Sequence, residues 1–190
     1  MNKKELILTE AKRLFGHYGY LGFTLKMLAV ACRMTSPALY YFYSSKADLF
    51  RDCLLSEFEG RQDLLTRCAE RSTSVSMYIE ELTQESINIC NASGFRVVRA
   101  MDEVIHLPEE MQEVLRAAWD ESCIAPIEMY LSTVMPDVPT LPSRRLMAMY
   151  FLNFATFVAE KHAEFGHDDV ITLSQRIGRS LELGLLSSTV

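Results

Sequence analysis

The chain has no uninterrupted apolar run of about 18 residues, the length that a membrane-spanning helix requires. Its N-terminal segment is also broken by charge, because Glu5, Glu10, Lys12 and Arg13 fall among the first apolar residues. A secretory signal peptide needs a continuous apolar stretch, which this segment does not provide. We therefore expect a cytoplasmic protein with no membrane partner.

Patterns for catalysis and metal binding are missing as well. The sequence contains none of the motifs HExxH, GxSxG or the phosphate-binding P-loop. His162 and His167 flank Gly166 at a spacing that does not suit two ligands on one helix face. The cysteines are odd in number, widely spaced and never in a CxxC arrangement; they are Cys32, Cys53, Cys68, Cys90 and Cys123. We predict that the protein is not an enzyme, holds no metal or cofactor, and keeps these thiols reduced and buried, with redox sensing by a cysteine as the alternative.

Runs of alternating β-branched residues, which mark strands, are also absent, whereas helical periodicity extends along almost the whole chain. We predict an all-α fold of about nine helices. The first helix is expected to be closed by Gly19 and Gly22, and the second to span about 25–32. The third is expected to follow Thr35, and the fourth to span about 46–71. Five more are expected at about 75–92, 96–106, 108–135, 143–165 and 168–186. Pro126 should kink the helix at 108–135, and a loop is expected at 136–142.

Basic residues are scarce for a nucleic-acid-binding protein, since the formal net charge is -6. They are unevenly distributed, because residues 1–50 carry a net charge of +4 and the remaining 140 residues carry -10. A basic N-terminal module on an acidic body is consistent with phosphate contact through one end of the chain. A segment of +4 is also ordinary surface variation, so charge by itself does not decide between the two interpretations.

The segment at 24–46 carries the most information. Thr24 and Thr35 are both suited to the N-cap of a short helix, and Pro37 fits a first turn, where its missing N–H is not needed. Two short capped helices joined by a tight turn are the layout of a helix-turn-helix that reads the major groove of DNA. Lys26, in the first turn of the first helix, could reach a phosphate or a guanine edge, or could be a solvated surface lysine.

The side chains of the second short helix divide between core and DNA by their spacing. Leu39 and Tyr43 are four residues apart, so we expect both to face inward. That arrangement leaves Tyr41 and Phe42 turned toward DNA. Tyr40 could serve either side, with its hydroxyl on a phosphate and its ring packed.

Residues 7–49 resemble the TetR family of bacterial transcriptional regulators. The matching pieces keep the family's order and spacing: Ala11-x-x-Leu14-Phe15, Gly19-Tyr20, Phe23-Thr24, Leu28-Ala29, Thr35-x-Pro37-x-Leu39-Tyr40 and Ser45-Lys46-x-x-Leu49. The resemblance implies a three-helix DNA-binding domain at 1–48, with the helix-turn-helix at about 24–43, and a larger helical ligand-binding and dimerisation domain at 49–190. Carried over by position, it implies DNA contacts by Thr24, Lys26, Thr35, Ser36, Pro37, Ala38, Tyr40, Tyr41, Phe42 and Lys46.

Two residues of the helix-turn-helix depart from the family's pattern. Arg33 lies in the turn where the family often has glycine, and a left-handed arginine would cost roughly 1 kcal/mol. We therefore expect a different turn geometry there, although the basic side chain could offset the cost by reaching a phosphate. Phe42 lies where a histidine or tyrosine is frequent, and it cannot donate a hydrogen bond. Apolar contact with a thymine methyl group remains open to it.

The last two helices, at about 143–165 and 168–186, are too apolar to be left exposed. The resemblance implies that they form a four-helix interface with the same helices of a second copy, which makes the protein a homodimer. From the residues alone, burial against their own chain is an equally acceptable interpretation.

The middle of the chain is rich in methionine and aromatic residues, which suits either a plain core or an adaptable apolar cavity. Four residues are candidates for contact with a small molecule: Asn88, His106, Trp119 and Asn153. The two asparagines and the histidine are the polar groups best suited to face inside and orient a ligand, but for each one singly a core or surface role is the more common interpretation. The inducer, whose identity the sequence does not give, is expected to be largely apolar.

These features predict a sequence-specific, DNA-binding transcriptional regulator that acts as a homodimer on a palindromic operator of double-stranded DNA. We expect a repressor that a small-molecule inducer releases, with the fourth helix as the coupling element. The alternative is a helical DNA-binding protein-interaction factor without a small-molecule inducer, which a well-packed body would favour.

Overall fold

The computed structural model describes residues 2–136 and 142–186, and within these ranges it contains α-helices and no strand. The helices are α1 (Lys3–Gly22), α2 (Leu25–Ala31), α3 (Ser36–Phe42), α4 (Lys46–Arg71), α5 (Val75–Ser93), α6 (Val97–Asp102), α7 (Glu109–Trp119), α8 (Ala125–Val134), α9 (Pro142–Phe165) and α10 (His167–Leu186). A 3-10 turn (Glu103–His106) follows α6. The predicted all-α fold is confirmed, while the loop predicted at 136–142 lies largely outside the described residues. None of these described helices is both long and apolar enough to cross a membrane.

The helix predicted at 108–135 changes its hydrogen-bonding pattern just before Pro126, and the kink expected there stays a prediction. A π-helical segment at Asp120–Ile124 joins α7 to α8, and in it the Ala125 N–H donates to the Asp120 carbonyl, five residues back. Pro126, in the first turn of α8, has no N–H to donate, so the change of hydrogen-bond register falls where a regular helix would lose a bond. If α7, the π-helical segment and α8 are counted as one helix, the described residues contain nine helices, as the sequence predicts.

The chain divides into two compact units by the density of its internal contacts. The first comprises residues 1–58 and 91–118, and the second comprises 59–90 and 119–190. The predicted DNA-binding domain at 1–48 lies within the first unit, and α4 contributes residues to both. The functional boundary at 48/49 stays a prediction.

Aromatic rings form the core of the first unit. The ring centroid of Phe15 lies 4.0 Å from that of Phe23 and 4.8 Å from that of Phe50. Tyr20 packs on the same cluster, 5.0 Å from Phe50. All four side chains are buried, and they join α1 and α4 to the chain just before α2. The cluster therefore fixes the point at which the helix-turn-helix begins.

In the second unit, α5 and α10 approach closely at a glycine. A Cβ atom on Gly178 would lie 2.4 Å from the Cα of Ser76, a distance that no side chain could accept. Ser76 Oγ donates to the Gln175 carbonyl at 3.1 Å, and the buried Ser174 Oγ donates to Thr83 Oγ1 at 3.0 Å. The helices are thus joined by hydroxyl groups as well as by apolar contact.

Candidate nucleic-acid interface

The two helices of the predicted DNA reader are capped as the sequence indicates. Thr24 Oγ1 accepts from the Met27 N–H at 3.3 Å at the start of α2. Thr35 Oγ1 accepts from the Ala38 N–H at 3.4 Å at the start of α3. Each cap satisfies one N–H of a helix of only seven residues, which is too short to be stable alone. Packing against the core must therefore hold both helices in place.

The buried anchors of α3 and its exposed face are clearly separated. Leu39 is fully buried and Tyr43 is 4 % exposed, so the predicted inward role of both is confirmed. Tyr41 is 87 % exposed, and Phe42 is half-buried with its ring set edge-on to that of Tyr41 at 5.6 Å. The other α3 candidates and its cap also have exposed side chains: Thr35, Ser36, Pro37, Ala38 and Tyr40. On α2, Thr24 and Lys26 are exposed as well. The predicted contacts on these helices are therefore placed where a duplex could reach them, and their role stays a prediction.

The turn between α2 and α3 is left-handed at Arg33, whose φ is 52°. The Met34 N–H donates to the Ala29 carbonyl at 2.8 Å, and the Arg33 N–H donates to the Val30 carbonyl at 3.1 Å. These two bonds form a Schellman motif, which closes a helix through a left-handed residue that is usually glycine. The expectation that arginine would force a different geometry is wrong, because the two bonds outweigh a conformational cost of about 1–2 kcal/mol.

Lys46 is bound within its own chain. Its Nζ donates to the carbonyls of Tyr20, at 2.6 Å, and Phe23, at 3.1 Å, and lies 4.3 Å from the centroid of the Tyr20 ring. Burial lowers the pKa of this ammonium, while the negative charge of Glu103 acts in the opposite direction. An ammonium has three N–H donors, so one is left for a phosphate. Lys46 therefore stabilises the entry to α2, and its predicted DNA contact stays a prediction.

Sequence reasoning missed a contact that fixes the same entry. At Gly19, φ is 68° and ψ is 175°, which interrupts α1 and frees the Tyr20 N–H from helical bonding. That N–H donates to Glu103 Oε1 at 2.8 Å, across 83 positions of sequence. The left-handed φ angle favours glycine at position 19, and a Cβ there would lie 2.7 Å from the same oxygen, so the Glu103 carboxylate would have to move. A glycine near a helix end is a weak signal, and nothing in the sequence pairs it with Glu103.

The start of α4 is fixed by a small polar cluster. Ser45 Oγ accepts from the Asp48 N–H at 3.0 Å, which makes Ser45 the cap of α4. The hydroxyls of Ser44 and Ser45 both donate to Asp48 Oδ2 at 2.7 Å. These hydrogen bonds, with a smaller contribution from the positive charge of Arg51, lower the pKa of the Asp48 carboxyl below its ordinary value. The helix that follows α3 thus begins at a defined residue.

The helices predicted to form a dimer expose apolar side chains. One face of α9 is buried in the second unit through Ala148, Phe151, Leu152, Ala155 and Ala159. The opposite face presents exposed side chains at helical spacing: Leu146, Met149, Tyr150 and Phe157. Phe165, Leu173 and Leu183 are exposed on the end of α9 and on α10. An apolar face of this extent is unusual for a surface that meets only water.

The predicted ligand contacts do not lie together inside the body. Asn88, His106 and Asn153 have exposed side chains, which agrees with the surface role and not with the inward orientation that a ligand contact would need. Asn153 Nδ2 donates to the Met149 carbonyl of its own helix, and the His106 ring stacks on Tyr20 in the first unit. Trp119 is half-buried in the second unit. Whether any of these four residues contacts a ligand is untested.

The polar groups that do face the interior of the second unit are mostly hydroxyls, which sequence reasoning did not single out. Tyr78 is fully buried, with its ring stacked on that of Tyr130 at 4.2 Å. Ser72, Ser86 and Thr156 are also buried. Hydroxyl-bearing residues are common on helix surfaces, so their helical period alone does not separate buried positions from exposed ones.

The cysteines are buried wherever the structure describes their side chains, which excludes Cys90. Burial raises the pKa of Cys68 and of Cys123 to about 12, and raises that of Cys32 and Cys53 as well. These thiols are therefore protonated at neutral pH and poor nucleophiles. Among the described residues, no group of three or more histidine, cysteine, aspartate or glutamate side chains is placed to hold a metal ion.

Comparison with known proteins agrees with this geometry. Residues 7–53 match the model of the bacterial regulatory proteins of the tetR family. A curated relative, the uncharacterised HTH-type transcriptional regulator YezE of Bacillus subtilis strain 168, is 29 % identical over 109 residues, which is 55 % of this chain. The match spans 56 % of the length of that relative.

Solved structures extend the likeness of fold to nearly the whole chain. The crystal structure of AibR in complex with isovaleryl coenzyme A and operator DNA has a TM-score of 0.74 at 17 % identity, covering 93 % of this chain and 97 % of that one. A TetR transcriptional regulator from Legionella pneumophila has a TM-score of 0.74 at 18 % identity, covering 95 % and 97 %. The reduced form of NemR from E. coli has a TM-score of 0.70 at 15 % identity, covering 94 % and 96 %. Residues 7–53, which include the helix-turn-helix, thus match the tetR family of bacterial regulatory proteins.

Proposed function

We propose that this protein is a sequence-specific transcriptional regulator that binds double-stranded operator DNA as a homodimer and is released by a small molecule, and so acts as a repressor. The observation that carries the proposal is the exposed face of α3, whose polar and aromatic side chains project from a helix anchored by Leu39 and Tyr43. A helix held in this way can enter the major groove with its leading end at the base edges.

The exposed apolar face of α9 supports dimerisation. Tyr150 and Phe157 lie on that face and away from the core of the second unit. A second copy that packed the same face would bury these rings in an isologous interface, since each copy offers the same surface. Two recognition helices could then read half-sites about one helical turn, ~34–36 Å, apart.

A groove in the second unit supports the small-molecule effector. It has a volume of about 360 Å³ and lies between the C-terminal half of α4 and α8, where Ala69, Pro126, Met129 and Tyr130 give it a mainly apolar lining. Ser72 also lines the groove, and its hydroxyl is buried and without a hydrogen-bond partner among the described residues. An unpaired buried hydroxyl costs about 1–3 kcal/mol, which a polar atom of a ligand could recover. A largely apolar molecule with one polar atom fits this chemistry.

AibR, a protein of the same fold, has been crystallised with both isovaleryl coenzyme A and operator DNA. That structure supports the idea that the fold can hold a ligand and DNA together. For a ligand to release DNA, it must bind the DNA-free conformation more tightly than the DNA-bound one. The helix α4, which contributes to both units, is the proposed route of coupling.

Selection of genomic fragments by the purified protein at physiological salt, followed by sequencing, tests the DNA-binding part. Enrichment of one short palindromic site is expected. Weak, salt-sensitive retention of unrelated fragments would contradict sequence-specific regulation and would favour the interaction factor.

The effector is tested separately with the selected fragment. Met129→Trp places a large ring in the α4–α8 groove without touching the helix-turn-helix, and Met129 is exposed enough to accept the change. Compounds that release wild-type protein from DNA should fail to release this variant, while its DNA affinity without compound stays the same. Release of both proteins alike would contradict the groove as the effector site.

A further inference from the structure

The turn of the helix-turn-helix contains an arginine in a backbone conformation that arginine disfavours. Arg33 is the only residue other than glycine with a positive φ among residues 2–136 and 142–186. Its position is the C′ position of the Schellman motif that ends α2, where glycine pays no steric penalty. Strain that persists in a native structure is a reason to look for a function of the side chain.

No polar contact within the described residues stabilises the Arg33 side chain. It is exposed, and within the described ranges its guanidinium forms no hydrogen bond or ion pair. The side chain therefore does not offset the backbone strain by packing. A cation near the C-terminus of α2 does interact favourably with the helix dipole, and this is the structural alternative.

The position of Arg33 places its charge beside the proposed DNA-reading surface. Two residues separate it from Ser36, the first residue of α3, and the side chains of Ser36 and Pro37 are exposed. In a helix-turn-helix, the chain that leads into the recognition helix lies at the edge of the major groove, next to the phosphate backbone. A flexible guanidinium at this place can bind a phosphate with two parallel N–H donors.

We propose that Arg33 is a phosphate-binding residue, kept in a strained left-handed turn because its charge contributes to DNA affinity. The inference rests on the proposed function, since it requires that α3 enters a major groove. A phosphate contact of this kind is independent of sequence. It sets the register of α3 on the duplex and leaves the choice of bases to the residues of α3 itself.

Four variants separate this role from helix capping. Arg33→Gly and Arg33→Asn remove the charge but tolerate the left-handed turn, and Arg33→Lys keeps the charge. Arg116→Gln is the matched control, because Arg116 is an exposed arginine of α7 outside the helix-turn-helix. Each protein is titrated with the palindromic fragment that the wild-type protein selects, at several salt concentrations, and its melting temperature is measured.

The glycine and asparagine variants should each lose one phosphate contact per protomer. For a dimer, the slope of log K against log salt should then fall by about 2, so their affinity deficit should shrink about tenfold as salt rises from about 50 to about 200 mM. The lysine variant and the Arg116 control should keep the wild-type slope. Relief of strain should leave the melting temperature of Arg33→Gly at the wild-type value or raise it by about 2–4 °C.

Other outcomes would overturn the inference in recognisable ways. If Arg33→Gly binds with the affinity and slope of wild type, Arg33 does not contact phosphate, although the regulator itself stands. If the slope of log K against log salt falls only in variants whose melting temperature also falls, a damaged turn explains the weaker binding and Arg33 has a structural role. Loss of slope in Arg33→Lys would also contradict a contact based on charge. If wild-type protein selects no DNA site, the proposed function fails, and the inference fails with it.

Discussion

The exposed faces of α3 and α9 both carry aromatic rings, yet they differ in what surrounds those rings. On α3, Tyr41 stands among hydroxyls, small residues and a neighbouring arginine in the turn. On α9, Phe157 lies on a face shared with Leu146, Met149 and Tyr150. Water is excluded from both surfaces in the proposed complexes, but only the first offers hydrogen bonds and positive charge to a polyanion. An exposed ring therefore says little about a partner until its neighbours are considered.

The two faces are also supported differently. The helix α3 has seven residues and depends on two anchors and a threonine cap, so its position follows from the packing of the first unit. The helix α9 has 24 residues, and its opposite face is buried along much of its length. A partner of α9 can therefore meet a surface that the fold of the second unit already presents. We expect mutations on α9 to separate dimerisation from folding more cleanly than mutations on α3 separate binding from folding.

A charge on the apolar face of α9 should have the largest effect. Phe157 is 60 % exposed, so Phe157→Glu should leave the protomer folded while burying an unpaired charge in the proposed dimer interface. We expect a monomer at micromolar concentration in sedimentation and loss of operator binding. Val114→Glu, on an exposed apolar residue of α7, is the matched control and should remain dimeric. If both variants sediment as dimers with normal DNA affinity, the α9 face is not the interface.

The packing of the second unit is tested at Gly178. Gly178→Ala would place a Cβ against the backbone of Ser76, which cannot move without displacing α5, and should lower the free energy of unfolding by about 3 kcal/mol. Gly60→Ala, in α4, is the control, because no atom lies within 4 Å of its added Cβ. That change should raise the free energy of unfolding by about 0.5–1 kcal/mol. Equal effects of the two substitutions in urea unfolding would contradict the close approach of α5 and α10.

The recognition face is tested at Tyr41. Tyr41→Ala should weaken operator binding by about 1–2 kcal/mol, through loss of contact with the groove. Because the ring is almost fully exposed, the free energy of unfolding should change by no more than about 0.5 kcal/mol. Tyr41→Phe shows whether the ring or the hydroxyl makes the contact. Unchanged affinity of the alanine variant in a DNA titration would remove Tyr41 from the interface.

The sequence was most informative about features that depend on residues close together in the chain, such as helix caps and side-chain spacing. Thr24, Thr35 and Pro37 identify the starts of two short helices by local hydrogen bonding, and their neighbours in sequence are also their neighbours in space. The spacing of Leu39 and Tyr43 separated core from surface for the same reason. These are short-range relations, so a single sequence contains them.

Relations between distant residues could not be read in this way. The bond from the Tyr20 N–H to Glu103 joins positions 83 apart, and no local pattern reports it. Lys46 was assigned to DNA by its position in the family pattern, which does not report that its ammonium also binds two carbonyls of the preceding segment. Asn88 and Asn153 lie on the surface, and the sequence left their orientation open because helical period identifies a face but does not say which face meets the core. Site residues in the body depend on tertiary packing, which periodicity does not determine.

The smallest predicted effect is at the start of α4, and it depends on pH. The pKa of Asp48 is lowered in the folded protein by the hydroxyls of Ser44 and Ser45, so its contribution to stability is present above the ordinary pKa of 3.8. The contribution is lost as pH falls through the lowered pKa of the folded state, because protonation removes the charge that these hydroxyls stabilise. Asp48→Asn should therefore lower the free energy of unfolding by less than about 1 kcal/mol near neutral pH, since exposed polar interactions are screened by solvent.

Urea titrations measure this effect. The difference in the free energy of unfolding between Asp48→Asn and wild type should narrow in acid and should be smaller in a Ser44→Ala background. A difference that stayed constant from neutral pH into acid would mean that the asparagine acts through the backbone of α4 and not through the lost charge.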